Sequence, residues 1–129
     1  YYRINADNNS RWDCIYSLPR PGGGRYGYWS ANPKNGALGF GFGETRDGLR
    51  WKALPPPVID WQGQPPMPAL EVGAVERIGG RYYLLASTYW GFRGQVGTVT
   101  LVANRPAGPF RLAAQNPMLL TSNARHWNT

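Results

Sequence analysis

The sequence predicts an all-β chain: a β-propeller fragment of about two four-stranded antiparallel blades plus the start of a third. Three observations predict it. First, a near-repeat at a spacing of 58 residues lays Asp13 over Glu71. Arg11-Trp12-Asp13-Cys14-Ile15-Tyr16-Ser17 precedes the turn Gly22-Gly23-Gly24 and Arg25-Tyr26-Gly27-Tyr28-Trp29, as Leu70-Glu71-Val72-Gly73-Ala74-Val75 precedes Gly79-Gly80 and Arg81-Tyr82-Tyr83-Leu84-Leu85. Second, the match continues downstream: Gly39-Phe40-Gly41-Phe42-Gly43-Glu44 falls over Gly97-Thr98-Val99-Thr100-Leu101-Val102. A repeat of this length holding several short apolar bursts is the sequence pattern of a propeller blade. Third, helical periodicity is missing, and 17 Gly and 12 Pro break the 129 residues into short segments.

The elements follow in order. Alternating or short apolar runs predict strands at about 11–18, 25–31, 38–45 and 49–54 in the first unit, and at about 71–78, 81–88, 96–103 and 109–114 in the second. Arg46-Asp47-Gly48 and Arg105-Pro106-Ala107-Gly108 supply the turns before each fourth strand, since Gly reaches the positive φ that tight hairpins demand. The chain 1–129 reads as one partial propeller domain with blade-like units at 11–54 and 71–114 and a Pro-rich crossover at 55–70. Five prolines between Pro55 and Pro66 forbid a helix there, while Val58, Ile59 and Trp61 anchor the segment as an ordered connection. Such a connection runs from the rim back to the axis and is expected to bring Trp61 near the mouth of the central cavity. Two blades do not close a ring of at least about four, so the missing blades are expected from the rest of the same protein or from another chain. A third unit is expected to open at His126-Trp127-Asn128-Thr129.

Fourteen basic residues against seven acidic give a net charge of +7. A nucleic-acid interface clusters such charge to neutralise phosphates, but here the twelve Arg are spread singly along the chain. The reading is therefore an Arg-rich surface with no nucleic-acid partner, a basic nucleic-acid-binding β module being the last alternative. Cys14, the single cysteine, builds neither a disulfide framework nor a cysteine metal site, and on an inner strand it is expected to be a small buried apolar residue. No run approaches the roughly 20 apolar residues of a membrane span, so no membrane partner is expected. No metal or cofactor is expected either. No signal-peptide pattern opens the chain, and secreted and cytoplasmic locations both remain open.

With Asp13 and Glu71 on two successive inner strands, the sequence resembles the five-bladed propeller glycosidases of glycoside hydrolase families 32 and 43. The features that carry the resemblance are the acidic residue entering each inner strand, Gly80-Arg81-Tyr82-Tyr83-Leu84, the turn Thr45-Arg46-Asp47-Gly48-Leu49-Arg50-Trp51, and Ala107-Gly108-Pro109-Phe110. Those families carry a base or nucleophile Asp, an orienting Asp and a general-acid Glu on consecutive inner strands. The resemblance therefore implies that Asp13 is the orienting residue and Glu71 the proton donor, with the first Asp one unit upstream, outside this chain. It also implies a carbohydrate substrate and hydrolysis of glycosidic bonds. The motifs depart in detail: Trp12-Asp13-Cys14 and Glu71-Val72-Gly73 stand where family 32 usually has Arg-Asp-Pro and Glu-Cys-Pro.

The chemistry suits the residues. Glycoside hydrolysis needs a protonated carboxyl beside the leaving oxygen and a second carboxylate at a defined distance, which acids converging on one axis provide. The competing reading of Glu71 is an exposed strand-end carboxylate paired with Arg. Sugars stack on aromatic faces, which makes Trp12, beside Asp13, and Trp61, in the crossover, candidate substrate-binding residues with Asp60, Tyr89, Trp90 and His126. Most Trp in a small β domain is packing, and a lone His is more often a satisfied hydrogen-bonding group. Glu44 and Glu76 read as surface charges and Asp47 as a turn former. A non-catalytic carbohydrate-binding propeller is the main alternative function.

Overall fold

The computed structural model describes residues 1–3, 11–36, 38–67, 70–92, 95–113 and 118–123; of 89–92, 95–96 and 118–123 it describes the backbone alone. Among the described residues the chain is all-β, without helix. The first sheet is a four-stranded antiparallel meander of β1 (Trp12–Pro19), β2 (Arg25–Ala31), β3 (Gly41–Thr45) and β4 (Trp51–Leu54), in that spatial order. The second unit repeats it with β6 (Leu70–Ile78), β7 (Arg81–Phe92), β8 (Gln95–Ala103) and β9 (Phe110–Leu112). It gains β5 (Ile59–Asp60), which pairs in parallel with β9 on the outer edge. Within the expected crossover, Ile59–Asp60 is thus a strand of the second sheet. β10 (Met118–Asn123) returns antiparallel along β8, so it extends the second sheet. Residues 126–129, where a third unit was expected to open, lie outside the described residues.

The turns follow from local chemistry. Gly79 and Gly80, at φ of 56° and 80°, close the β6–β7 hairpin in the two-residue, doubly positive form that matches strand twist. At the β3–β4 turn, Asp47 Oδ1 accepts from the amides of Leu49 (2.9 Å) and Arg50 (2.8 Å), while Thr45 Oγ1 accepts from Gly48 N at 3.0 Å. These amide donors hold the Asp47 carboxyl below its ordinary range. Asp47 is thus the turn former that its sequence context suggested.

The main core lies between the sheets. Tyr28, Phe40 and Phe42 of the first unit meet Leu84, Leu101 and Phe110 of the second, all buried. Phe40 and Phe110 pack edge to face at 5.3 Å, and Tyr28 lies 5.2 Å from Phe42. The Tyr28 hydroxyl donates to the Pro106 carbonyl at 2.8 Å, so a buried phenol keeps its hydrogen bond and ties β2 to the turn before β9. β7 alternates buried and outward residues from Arg81 to Thr88, which is the period-2 pattern of a sheet with one covered face. The other face of the first sheet carries a smaller cluster, Tyr2, Trp29 and Ala31, against which Ala53 packs. Tyr2 arrives there because residues 1–3 run antiparallel to 32–34, with Arg3 N donating to Asn32 O and Lys34 N to Tyr1 O.

Candidate active site

The first strands of the two sheets, β1 and β6, lie side by side. Asp13 pairs in register with Ser30 on β2, and the buried Ser30 hydroxyl accepts the amide of Val72 on β6 at 3.1 Å. β6 is an edge strand of its sheet, so its side away from β7 is open to such a bond. The residue before Val72 is Glu71. One inter-sheet hydrogen bond thus sets Asp13 and Glu71 at the same level of neighbouring strands.

Arg11, immediately before β1, joins them. Its Nε and Nη2 donate to Asp13 Oδ1 and Oδ2 at 3.0 and 2.9 Å, a bidentate fork, and Nη2 lies 3.5 Å from Glu71 Oε1. The backbone of Arg11 is itself held by Asn32, whose Oδ1 accepts the Arg11 amide at 3.0 Å. The side chains are partly open to solvent: 35% for Arg11, 53% for Asp13 and 28% for Glu71. The Asp13 bonds, ahead of those from Glu71, raise the Arg11 pKa still further, so the guanidinium stays charged throughout the accessible pH range.

Cys14 differs from expectation. It is exposed, not buried, and sits at φ 51° where β1 shifts register between Asp13 and Tyr16. A β-bulge re-aims side chains, and here the thiol turns toward β6 and donates to Glu71 Oε1 at 3.2 Å. That hydrogen bond, followed by desolvation and the charge of Asp13, pushes the thiol pKa up. Further along the same strand pair, the Tyr16 hydroxyl donates to Glu76. Glu76 therefore bridges the inner strands, and Glu44 pairs with Arg20 at 3.0 Å.

The other candidates divide. Trp12 is half-exposed, with its ring 5.1 Å from Trp29 and 5.6 Å from Tyr2. Together with Asp13, Ile15, Trp29, Trp51 and Ala53 it lines a groove of about 260 Å³. Asp60 and Trp61 are not brought to that pair. They stand on and just after β5, the edge of the second sheet opposite β6, with β9, β8 and β7 between. Asp60 caps its own turn through Gln62 N at 2.9 Å, and Trp61 is half-buried against the main core. Trp61 packs there because β5 joins β9 at the rim, which keeps its indole on the sheet rather than at the expected cavity mouth. Tyr89 and Trp90 lie in β7 by backbone, their side chains outside the description, and His126 lies outside the described residues. Sequence reasoning missed Arg11, Cys14 and Ser30 as parts of the site. Arg11 was readable: two residues before Asp13 on an extended chain, it shares Asp13's side. Cys14 and Ser30 depend on the bulge and on the packing of the sheets.

Among the described residues no group of three or more His, Cys, Asp or Glu gathers as a metal site, and no helix is long and apolar enough to cross a membrane. What the arrangement holds is two carboxylates from two sheets around one guanidinium. No protein-family profile and no curated protein matches the chain. Solved structures do. An endo-arabinase from Bacteroides thetaiotaomicron aligns with a TM-score of 0.61 and 23% identity over 93% of this chain and 40% of its own. A candidate exo-β-1,3-galactanase from Bifidobacterium bifidum aligns with a TM-score of 0.54 and 24% identity over 78% of this chain and 35% of its own. At such identities the likeness establishes the fold alone, that of an all-β propeller fragment. The chain spans 40% and 35% of the lengths of these two structures.

Proposed function

We propose that this chain is part of a glycoside hydrolase of the five-bladed propeller kind, akin to families 32 and 43, with Glu71 as general acid and Asp13 as the carboxylate that orients the sugar. The observation that carries the reading is the convergence of Asp13 and Glu71, from the first strands of successive sheets, on one guanidinium. Paired carboxyls at a fixed separation are what glycosidic cleavage requires: one protonates the departing oxygen, and another steadies or attacks the anomeric centre. The shared fold with two glycosidase-type structures supports the same reading. Further blades, from the same protein or another chain, would close the ring and supply the third carboxylate.

The test compares leaving groups in the full protein. Glu71→Gln keeps shape and hydrogen bonding but carries no transferable proton, so hydrolysis of a substrate with a poor leaving group falls about 10²-fold or more. An activated aryl glycoside, which needs little protonation, loses far less. Asp13→Asn depresses both substrates. Equal losses for Glu71→Gln on the two substrates, or none on either, would remove Glu71 from the acid role.

A second reading, a non-catalytic carbohydrate-binding propeller, is favoured by the groove in which Trp12, Trp29 and Trp51 lie beside Asp13. Stacking of a sugar on the exposed rings of Trp12 and Trp51 needs no proton donor. Oligosaccharide binding with no turnover, unchanged by Glu71→Gln, would select it.

A further inference from the structure

Basic residues that stand singly in the sequence are brought together by the β3–β4 hairpin. Arg46 and Arg50 belong to its turn, Lys52 lies opposite Glu44 on β4, and Arg20 reaches Glu44 at 3.0 Å from the turn after β1. These four line one open cavity of about 350 Å³, with Glu44 and Asp47 as its acids. Both acids are already engaged. Glu44 holds Arg20, and Asp47 Oδ1 accepts the amides of Leu49 and Arg50. Among the described residues no carboxylate pairs with Arg46, Arg50 or Lys52. The cavity is also remote from the carboxylate pair. On β2, Ser30 is level with Asp13 and Tyr26, four residues earlier, is level with Glu44, a separation of roughly 13 Å along the strand.

The second sheet repeats the arrangement. Arg111 lies opposite Val102 as Lys52 lies opposite Glu44, and with Arg105 it lines a cavity of about 240 Å³ at the β8–β9 turn. Asp60 stands beside Arg111 in register on β5, so the first cavity keeps the larger share of unmatched cations. Like charges gathered in one place repel, and an anion among them removes the repulsion. Guanidinium groups in particular take two oxygens of a carboxylate or sulfate at once. We propose that the β3–β4 cavity is an anion-binding site, separate from the Asp13–Glu71 pair, that takes the acidic groups of a charged polysaccharide, uronate carboxylates or sulfate esters. The choice of a polysaccharide rests on the glycosidase reading and on the acids of the cavity itself. Glu44 and Asp47 would oppose the continuous row of phosphates in a nucleic acid, whereas a polymer with one acidic group per sugar offers them hydroxyl donors between its charges.

The experiment measures binding of four oligomers to the full protein: an oligogalacturonate, a sulfated galactan oligosaccharide, a neutral galactan oligosaccharide and an oligothymidylate of equal charge. The proteins are the unmodified form, the double variant Arg46→Gln with Arg50→Gln, and a charge-matched control, Arg3→Gln with Arg81→Gln. All four arginines are exposed. At least one acidic saccharide is expected to bind, and which of them does so identifies the acidic group. Its affinity falls about tenfold in the Arg46/Arg50 variant and less than twofold in the control, and it weakens with salt. Binding of neither acidic saccharide, or equal losses in the two double variants, which would mark a general effect of net charge, overturns the proposal. Tighter binding of the oligothymidylate than of both acidic saccharides overturns it in favour of nucleic acid. Should the Arg46/Arg50 variant lose its urea transition, Lys52→Gln decides alone: a roughly threefold loss supports the site and an unchanged affinity overturns it. Binding does not depend on turnover. The expected losses in a protein without glycoside hydrolysis keep the anion site and remove the glycosidase reading, whereas unchanged binding alongside the Glu71→Gln leaving-group contrast does the reverse.

Discussion

The hydroxyl of Ser30 on β2 accepts the backbone amide of Val72 on β6 at 3.1 Å, fully buried between the two sheets. This bond links the partner of Asp13 to the neighbour of Glu71, so inter-sheet packing and the spacing of the carboxylates depend on the same atoms.

Ser30→Ala removes the acceptor and leaves the Val72 amide buried beside an apolar methyl. An unmet buried donor costs about 1–3 kcal/mol. The urea midpoint is therefore expected to fall with an unchanged slope, and any activity of the full protein to fall with it. A midpoint equal to that of the unmodified protein would mean that the amide is satisfied some other way.

Gly41→Ala tests the aromatic face of the first sheet. A Cβ at this position would lie 2.1 Å from Cε2 of Trp29, inside any allowed contact, and the indole is held by Tyr2 and Trp12 on its far sides. Overpacking of this kind costs about 1–3 kcal/mol. Gly36→Ala is a useful contrast, because nothing stands within 4 Å of a Cβ there and the strain is that of its φ of 76° alone. Thermal unfolding should separate the mechanisms, with tryptophan fluorescence shifting for Gly41→Ala and not for Gly36→Ala.

Two buried phenols should contribute to the alkaline loss of stability. Burial raises the Tyr2 pKa from 10.0 to about 12, and it raises Tyr28 further still. A phenol whose folded value exceeds its unfolded value contributes stability below the unfolded value and loses it as pH climbs toward the folded one. Unfolding free energy is thus expected to hold up to about pH 10 and to fall between 10 and 12. Tyr2→Phe should flatten part of that decline, while losing the bonds to Leu54 O at 2.8 Å and from Phe42 N at 2.9 Å. Ultraviolet titration checks it: two phenols should ionise together with unfolding rather than before it.

The strand order, the turns and the level of the two acids were legible in the sequence because they rest on short-range rules. Alternation of apolar residues marks β7, paired glycines close the β6–β7 hairpin, and Asp47 caps a turn within three residues of itself. A repeat of 58 residues then lays Asp13 over Glu71, and equal positions in two copies of one unit become equal heights on neighbouring strands.

Tertiary structure alone decided the rest. Whether Cys14 is buried depends on a register shift in β1, which turns it from the core toward Glu71. The place of Trp61 depends on β5 pairing with β9 at the rim, a parallel bridge between residues about 50 apart that no local pattern encodes. The hold of Arg11 on Glu71 exists because two sheets pack closely enough for a side chain on one to reach a carboxylate on the other. Sequence determines which residues each strand can offer to a face; the packing of one sheet on the next determines which of them meet.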